Sequence, residues 1–429
     1  MSHYSKSSDL VNKSQVLFLV CGLIVTILAS AIKSVYQIYF IDLPDIYNLS
    51  RSQVSLLGAL FGLFVGIFSP ITGWLCDKYG ASLTIISGIV VAIIGFYGVS
   101  VVDTLPLLIV CFSILLSYAL TAMTFIPFGI LIDSVFNENT KNASYTLLAN
   151  GTAIGFIVLS PLWVYLNGFV GWQSINSILS VVYLIVLIPI GICFYIRFPK
   201  KLIVDSTSLP SSESAQDLTH TNDSQPNKII TLLLNKRYLL LAVSFGGCGM
   251  AMAFIDVHLV ALIKTIDTLQ VFNSNDTFVA TSLSLLGITE LIGSGLVLIA
   301  VKRYNLYVVL GSLYLIRAIT FWLMGLFSID SVYVLLLSLF GLTYMGTVII
   351  SSLLCLRWYG AHIKGTMFGM LFFVHQVFVF ASVWLGGLNF DVSGSYKWYL
   401  YALIVMCLIS AMASFKLRSI NHNELIDPN

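Results

Sequence analysis

The most constraining feature of this sequence is a series of long apolar runs that are separated by short polar connections. About 20 consecutive apolar residues in a helix are enough to cross the hydrocarbon core of a bilayer. Twelve runs reach this length, and we number them as spans 1 to 12: 15–41, 53–75, 81–102, 106–132, 143–166, 173–197, 237–263, 277–300, 306–327, 331–355, 363–388 and 397–416. The pattern predicts an all-α polytopic membrane protein with twelve transmembrane helices.

The composition excludes several other classes of protein. Only 9% of the 429 residues are charged, whereas soluble domains carry about 25%. So few charges cannot cover a soluble surface, which excludes a soluble enzyme and a nucleic-acid-binding chain. The seven cysteines are scattered, without the spacing of a zinc site or a disulfide framework. No nucleophile–base set and no phosphate-binding loop is present, so we expect no enzyme activity, no cofactor, no metal and no ATP drive.

One connection, 198–236, is long, and its middle reads DSTSLPSSESAQDLTHTNDSQPNK. So polar a stretch is typical of a disordered linker. It divides the chain into an N-terminal half, 1–197, and a C-terminal half, 237–429, each with six spans. Two parallel halves of this kind are typical of transporters whose solute site lies between the halves near the middle of the membrane.

Lysine and arginine are distributed unevenly among the connections. If the N-terminus is cytoplasmic, the cytoplasmic segments hold 16 of the 21 basic residues and the outer loops hold three, namely Arg51, Lys264 and Lys397. Because positive charge accumulates on the cytoplasmic side, we expect both termini to be cytoplasmic. The residue usage suggests the inner membrane of a bacterium, where we expect a monomer whose partners are the lipid bilayer and a small-molecule substrate.

A short motif follows span 2 and reads Gly73-Trp-Leu-Cys-Asp77-Lys-Tyr-Gly80. It resembles the G-x-x-x-D-x-x-G loop of the major facilitator superfamily. The resemblance implies that Asp77 caps a helix end and latches it to neighbouring helices, which holds the outward-open state. The basic pair that usually follows the last glycine is absent, since Ala81 and Ser82 stand there.

Further segments resemble one branch of that superfamily, the monocarboxylate carriers and oxalate/formate antiporters. These segments are Ala31-Ile32-Lys33-Ser34 in span 1, Leu148-Ala149-Asn150-Gly151 and Ser160-Pro161-Leu162 in span 5, Gly171-Trp172 at the start of span 6, Val257-His258-Leu259-Val260 in span 7, and Gly386-Gly387, Asp391 and Gly394-Ser395-Tyr396 at the end of span 11 and in its loop. The resemblance implies secondary transport of small organic anions, either coupled to protons or by exchange.

The same resemblance implies roles for individual residues. In that branch a lysine of span 1 engages the substrate carboxylate, and an asparagine of span 5 lines the cavity; Lys33 and Asn150 match them. An Asp/Arg pair in span 8 couples protons to substrate; here Glu290 stands at the aspartate position and Ser294 at the arginine position. The lost arginine favours a second hypothesis, a carrier of another solute such as an amino acid, a nucleoside or a siderophore.

We expect each charged residue inside a span to have a functional or structural role, because insertion of Asp, Lys or Arg at a helix centre costs about 2.5–3.5 kcal/mol. Lys33 either attracts a carboxylate in a low-dielectric cavity or is a snorkelling or ion-paired side chain. Glu290 and Arg317 lie near the same depth of adjacent spans 8 and 9. They either form a structural ion pair, or Arg317 replaces the missing arginine while Glu290 exchanges a proton.

Asp256 and His258 lie two residues apart in span 7, so they project about 200° away from each other and cannot both face a solute path. His258 belongs to a matched segment and can titrate near neutral pH; a hydrogen-bonded structural histidine is the alternative. Further candidates for solute contact, for which packing is the alternative role, are Tyr36, Tyr344 and His375.

Overall fold

A computed structural model describes residues 13–198, 231–267, 276–327 and 330–426, and the elements within these ranges are helical. Residues 199–230, most of the predicted linker, lie outside the described residues. Many large apolar side chains point outward; Ile185, Leu335 and Val392, for example, are 66%, 67% and 81% exposed. Such extensive apolar exposure is expected of a surface that faces lipid.

The first ten helices cover the predicted N-terminal half. They are α1 (Lys13–Ala29), α2 (Ala31–Ser34), α3 (Tyr36–Tyr47), α4 (Arg51–Tyr79), α5 (Ala81–Val101), α6 (Leu105–Leu108), α7 (Ser117–Ala122), α8 (Phe125–Val135), α9 (Glu138–Val182) and α10 (Ile188–Arg197), with π-helical segments at Ile109–Leu116 and Tyr183–Leu187. The remaining helices are α11 (Lys236–Asp267), α12 (Asp276–Arg303), α13 (Leu306–Leu326), α14 (Asp330–Ser393) and α15 (Lys397–Ile426).

Eleven helical stretches of the described chain are long and apolar enough to cross a membrane. One of them, Ala143–Arg197, has 55 residues, which as a straight helix would measure about 80 Å against a hydrocarbon core of about 30 Å. Gly171 interrupts it with a φ of +77°, so this stretch provides the predicted spans 5 and 6. The predicted all-α membrane fold is confirmed.

Contacts among the helices define two compact units. The first comprises Met1–Pro199 with Asn273–Leu291, and the second comprises Lys200–Phe272 with Ile292–Asn429. Helix α12 therefore begins in the first unit and ends in the second.

In the first unit, α1 and α9 approach closely through small residues. A Cβ atom added at Gly151 would lie 2.0 Å from Oγ1 of Thr26, and one added at Gly155 would lie 2.2 Å from Oγ of Ser30. Glycine at these two positions, four residues apart, lets the helix backbones approach as small residues do in membrane proteins generally. The contact positions α9, which carries Asn150, against the first span.

In the second unit, α13 packs against α14 and α15, and α11 packs against the same two helices. The interior holds a cluster of fully or nearly fully buried side chains that includes Tyr238, Phe245, Leu310, Tyr314 and Leu354. Arg317, the one charged residue of α13, lies on the buried face of that helix and is 0% exposed.

Candidate functional site

Lys33 lies where the first span is least regular. Helix α1 ends at Ala29, and Lys33 belongs to the short α2, Ala31–Ser34. The hydroxyls of Thr26, Ser30 and Ser34 each donate to the carbonyl oxygen three residues earlier, at 3.1, 2.7 and 3.4 Å. Such bonds compete with the helix ladder and often bend helices. Although it lies within the Lys13–Tyr39 span, the Lys33 side chain is exposed.

The neighbouring Ser34 fixes the rotation of this segment. The indole Nε1 of Trp163, on α9, donates to the Ser34 hydroxyl at 2.9 Å. Ser34 therefore faces α9, and Lys33, the preceding residue, lies about 100° around the helix from that contact. Asn150 lies half-buried on α9, so the two matched residues are carried by helices that pack together.

The side chain of Tyr36, one turn from Lys33, is packed against neighbouring helical segments. Its hydroxyl donates to the Val54 carbonyl at 2.8 Å and accepts the Gly58 N–H at 3.1 Å, and its ring stacks on Phe112 at 5.0 Å between centroids. The side chain is 4% exposed. In this structure Tyr36 holds α3 against α4, which agrees with the packing alternative.

The motif Gly73–Gly80 ends α4 and begins α5. Gly80 has a φ of +96° and its N–H donates to the Cys76 carbonyl at 2.9 Å, a conformation that favours glycine. Asp77 is exposed in the last turn of α4, and a Cβ added at Gly73 would meet no atom within 4 Å. Of these two glycines, Gly80 is therefore the one whose backbone conformation requires glycine.

Ser82 makes a contact that the sequence did not suggest. It stands where the superfamily motif has a basic residue, and its hydroxyl donates to the Phe198 carbonyl at 2.9 Å. Phe198 directly follows α10. This bond satisfies a carbonyl at a helix end and ties the start of α5 to the end of α10.

His258, in the second unit, is 0% exposed and has two hydrogen bonds. Its Nε2 lies 2.9 Å from the Val383 carbonyl and its Nδ1 lies 3.2 Å from the Tyr396 hydroxyl. A carbonyl only accepts, so we assign the proton to Nε2 and an accepting role to Nδ1. A Cβ at Gly386 would lie 2.6 Å from Nε2. The ring therefore joins the segment around His258 to the segment that ends at Tyr396, and the sequence analysis matched these two segments to the same branch separately.

Arg317 is buried among neutral groups of α14. Its Nε donates to Thr343 Oγ1 at 3.0 Å, and its Nη2 donates to the carbonyls of Thr343 and Tyr344 at 2.8 and 3.0 Å and to Thr347 Oγ1 at 3.3 Å. These acceptors, all within the second unit, include no carboxylate. Glu290 lies half-buried on α12, in the part of that helix that belongs to the first unit.

Tyr344 links Arg317 to the carboxylate of Asp256, which the sequence analysis named but did not select as a site residue. Its hydroxyl donates to Oδ1 of Asp256 at 2.5 Å, while its carbonyl accepts from Arg317. Asp256 is half-buried, in contrast to the fully buried His258. The two-residue spacing could have identified Asp256 as the alternative to His258, because it placed them on opposite sides of the helix.

His375 packs among aromatic rings. It is 5% exposed, stacks on Phe372 at 5.6 Å with an interplanar angle of 7°, and lies 4.6 Å from the Phe245 ring. Within the described residues, no group of three or more His, Cys, Asp or Glu side chains is arranged to hold a metal ion.

Comparison with known proteins assigns the family. Residues 20–383 match the sequence pattern of the Major Facilitator Superfamily, which is well over half of the chain. The chain belongs to the major facilitator superfamily. Members of this superfamily are membrane transporters, so the protein is a transporter and not an enzyme.

The similar proteins agree with this assignment. An uncharacterized MFS-type transporter of Bacillus subtilis (strain 168), YcxA, is 23% identical over 394 residues, which cover 89% of this chain and 90% of the relative. Two crystal structures of a bacterial homolog of the human lysosomal transporter Spinster, both inward-facing, share the fold. The unoccupied form has a TM-score of 0.72 at 10% identity and the coverage is 93% of this chain and 96% of the other. The occupied form has a TM-score of 0.69 at 10% identity, with coverage of 95% and 97%.

Proposed function

We propose that this transporter moves a small organic anion of the monocarboxylate type by alternating access, in symport with protons. The exposure of Lys33 within the first span carries the proposal. A lysine facing hydrocarbon would cost about 2.5–3.5 kcal/mol or more, so an exposed Lys33 is better explained by an aqueous solute path. In such a low-dielectric path an ammonium group attracts a carboxylate strongly.

The matched segments support the same branch of the superfamily. Lys33 and Asn150 occupy the positions of the branch's carboxylate-binding lysine and cavity asparagine. His258 and Tyr396, from two further matched segments, are in contact. The excess of basic residues in alternate connections supports a cell-membrane location with both termini in the cytoplasm.

A binding screen on the purified protein tests the solute class. We expect one or more small carboxylates to raise the thermal unfolding midpoint of the unaltered protein. Lys33→Gln should weaken that binding by about 2–5 kcal/mol, as when one partner of a buried charge pair is removed. Lys397→Gln is the matched control, because Lys397 is exposed at the first residue of α15. Equal binding by Lys33→Gln and the unaltered protein would exclude an anion held by Lys33.

Glu290 is the proposed proton-exchanging group. Glu290→Gln should abolish accumulation driven by a pH gradient but should spare counterflow exchange, which moves no net proton. Both rates are measured in proteoliposomes. Full pH-driven uptake by Glu290→Gln would remove Glu290 from the coupling mechanism.

Asp256 favours a second candidate, a solute that also carries a positive group, such as an amino acid. Its carboxylate is half-buried and oriented by the Tyr344 hydroxyl. In the same screen, an amino-acid carrier would respond to amino acids, and Asp256→Asn would reduce that response. If carboxylates stabilise the protein and Asp256→Asn leaves this effect unchanged, the result supports the first candidate instead.

A further inference from the structure

Arg317 brings a full positive charge into the interior of the second unit. Arginine stays protonated in proteins, and the side chain is 0% exposed. Its Nε and Nη2 atoms are occupied by neutral acceptors of α14, while its Nη1 atom has no hydrogen-bond partner among the residues that the structure describes. A buried charge is expensive unless an opposite charge accompanies it.

Within the described residues, two further buried hydroxyls on α13 and α15, which pack against each other, have no hydrogen-bond partner. The Tyr314 hydroxyl, one turn before Arg317 on α13, is completely buried and makes no hydrogen bond, and the Tyr314 ring centre lies 5.8 Å from the guanidinium carbon. The Ser410 hydroxyl on α15 is also 0% exposed and unpartnered. Ser410 lies against Gly247, where an added Cβ would be 2.0 Å from Oγ. The neighbouring Cys248 thiol lies 2.9 Å from Thr347 Oγ1, which accepts from Arg317.

The nearby groups do not supply a hydrogen-bond partner for Nη1. The Asp256 carboxylate accepts from the Tyr344 hydroxyl and is not among the acceptors of Arg317. The Cys248 thiol lies close enough to Arg317 to act as a weak acceptor, and the Cys407 thiol interacts with it electrostatically, but neither thiol meets the geometry of a hydrogen bond to Nη1. The Ser244 hydroxyl lies near Tyr314, but the geometry falls short of a hydrogen bond, and Ser244 pairs with Ser414 at 2.9 Å. Arg317 Nη1 and the hydroxyls of Tyr314 and Ser410 are therefore donors without acceptors, and Arg317 adds one positive charge.

We propose that the region between α11, α13, α14 and α15 binds one monovalent anion of chloride size, held by Arg317 Nη1 and by the hydroxyls of Tyr314 and Ser410. A spherical anion accepts several hydrogen bonds at once and also neutralises the guanidinium. A water molecule accepts at most two hydrogen bonds, and it would leave the charge unpaired. Lys33, Asn150 and Glu290, the residues of the proposed solute and proton path, take no part in this site, so it would hold a resident ion and not the transported solute.

Halide titration of the purified full chain tests this proposal. Potassium methanesulfonate, whose anion is not a carboxylate, is replaced stepwise by potassium chloride or bromide at constant ionic strength, and the thermal unfolding midpoint is followed. We expect a saturable rise with both halides. Tyr314→Phe should increase the half-saturating concentration about fivefold or more, as expected for the loss of one hydrogen bond. Ser410→Ala should act in the same direction.

Tyr333→Phe is the matched control, because Tyr333 is also a buried tyrosine of the second unit, and its hydroxyl donates to the Met324 carbonyl at 2.9 Å. It should leave the half-saturating concentration unchanged. Equal stability in methanesulfonate and in halide would overturn the proposal, as would an equal effect of Tyr314→Phe and Tyr333→Phe. An anomalous bromide peak beside Arg317 in crystals would support it, and a peak only elsewhere would contradict it.

Discussion

At His258, two segments that are more than a hundred residues apart in the sequence meet through one imidazole ring. Nε2 donates to Val383, and Nδ1 accepts from Tyr396. Both nitrogens are thus occupied in a fully buried ring. This arrangement favours a structural role for His258 over a role in proton coupling.

A structural role predicts a loss of stability when the ring is replaced. His258→Phe would remove the imidazole donor to the Val383 carbonyl and the imidazole acceptor of the Tyr396 hydroxyl, and the loss of these two buried bonds should cost about 1–3 kcal/mol. Tyr396→Phe removes only one of the two bonds and should cost less. Denaturation midpoints of the purified variants provide the measurement. Unchanged stability of His258→Phe would show that these bonds contribute nothing.

The residue scale also shows what the sequence could not decide. The spacing of Asp256 and His258 predicted correctly that they face different directions. It could not show which one faces inward, because the residues around them are apolar on every side of the helix: Phe254, Ile255, Val257 and Leu259 are all buried. Without a polar stripe there is no periodicity to orient the span.

At the scale of elements, the contact between α1 and α9 depends on the absence of side chains at two positions of α9. A Cβ at Gly155 would lie 2.4 Å from the Ile27 carbonyl oxygen, in addition to its clash with Ser30. Backbone atoms cannot move aside as a flexible side chain can. The close approach is therefore a rigid requirement of this helix pair.

Gly155→Ala should destabilise the protein by about 1–3 kcal/mol, the usual cost of overpacking. Gly168→Ala on the same helix is the control, because a Cβ there would meet no atom within 4 Å and alanine is favoured over glycine in helices by about 1 kcal/mol. Thermal unfolding compares the two variants. Equal behaviour would contradict the close-packed contact.

Element boundaries were predicted well where polar residues interrupt the apolar runs. Spans predicted at 81–102 and 306–327 correspond to α5, Ala81–Val101, and α13, Leu306–Leu326. The break between spans 5 and 6 falls at Gly171, where the sequence placed it. The bond from Ser82 to the end of α10 was not predictable, because it depends on which helices become neighbours.

At the scale of the whole molecule, the distribution of basic residues predicts the orientation in the membrane. Tyr304, between α12 and α13, and Val392, near the end of α14, are 66% and 81% exposed. We expect a cysteine at position 304 to react only with reagent on the cytoplasmic side, and one at 392 only with external reagent. Labelling of the unaltered protein measures the background from its native cysteines, and this background is subtracted. Labelling of position 304 from outside intact cells would overturn the orientation.

Uptake by proteoliposomes tests the central claim most directly. The protein is reconstituted, an inward proton gradient is imposed, and accumulation of radiolabelled small carboxylates is measured for the unaltered protein, Lys33→Gln and Lys397→Gln. We predict accumulation by the unaltered protein and by Lys397→Gln, and its loss in Lys33→Gln. If no carboxylate accumulates, or if Lys33→Gln transports at the rate of the unaltered protein, then organic-anion transport through Lys33 is contradicted.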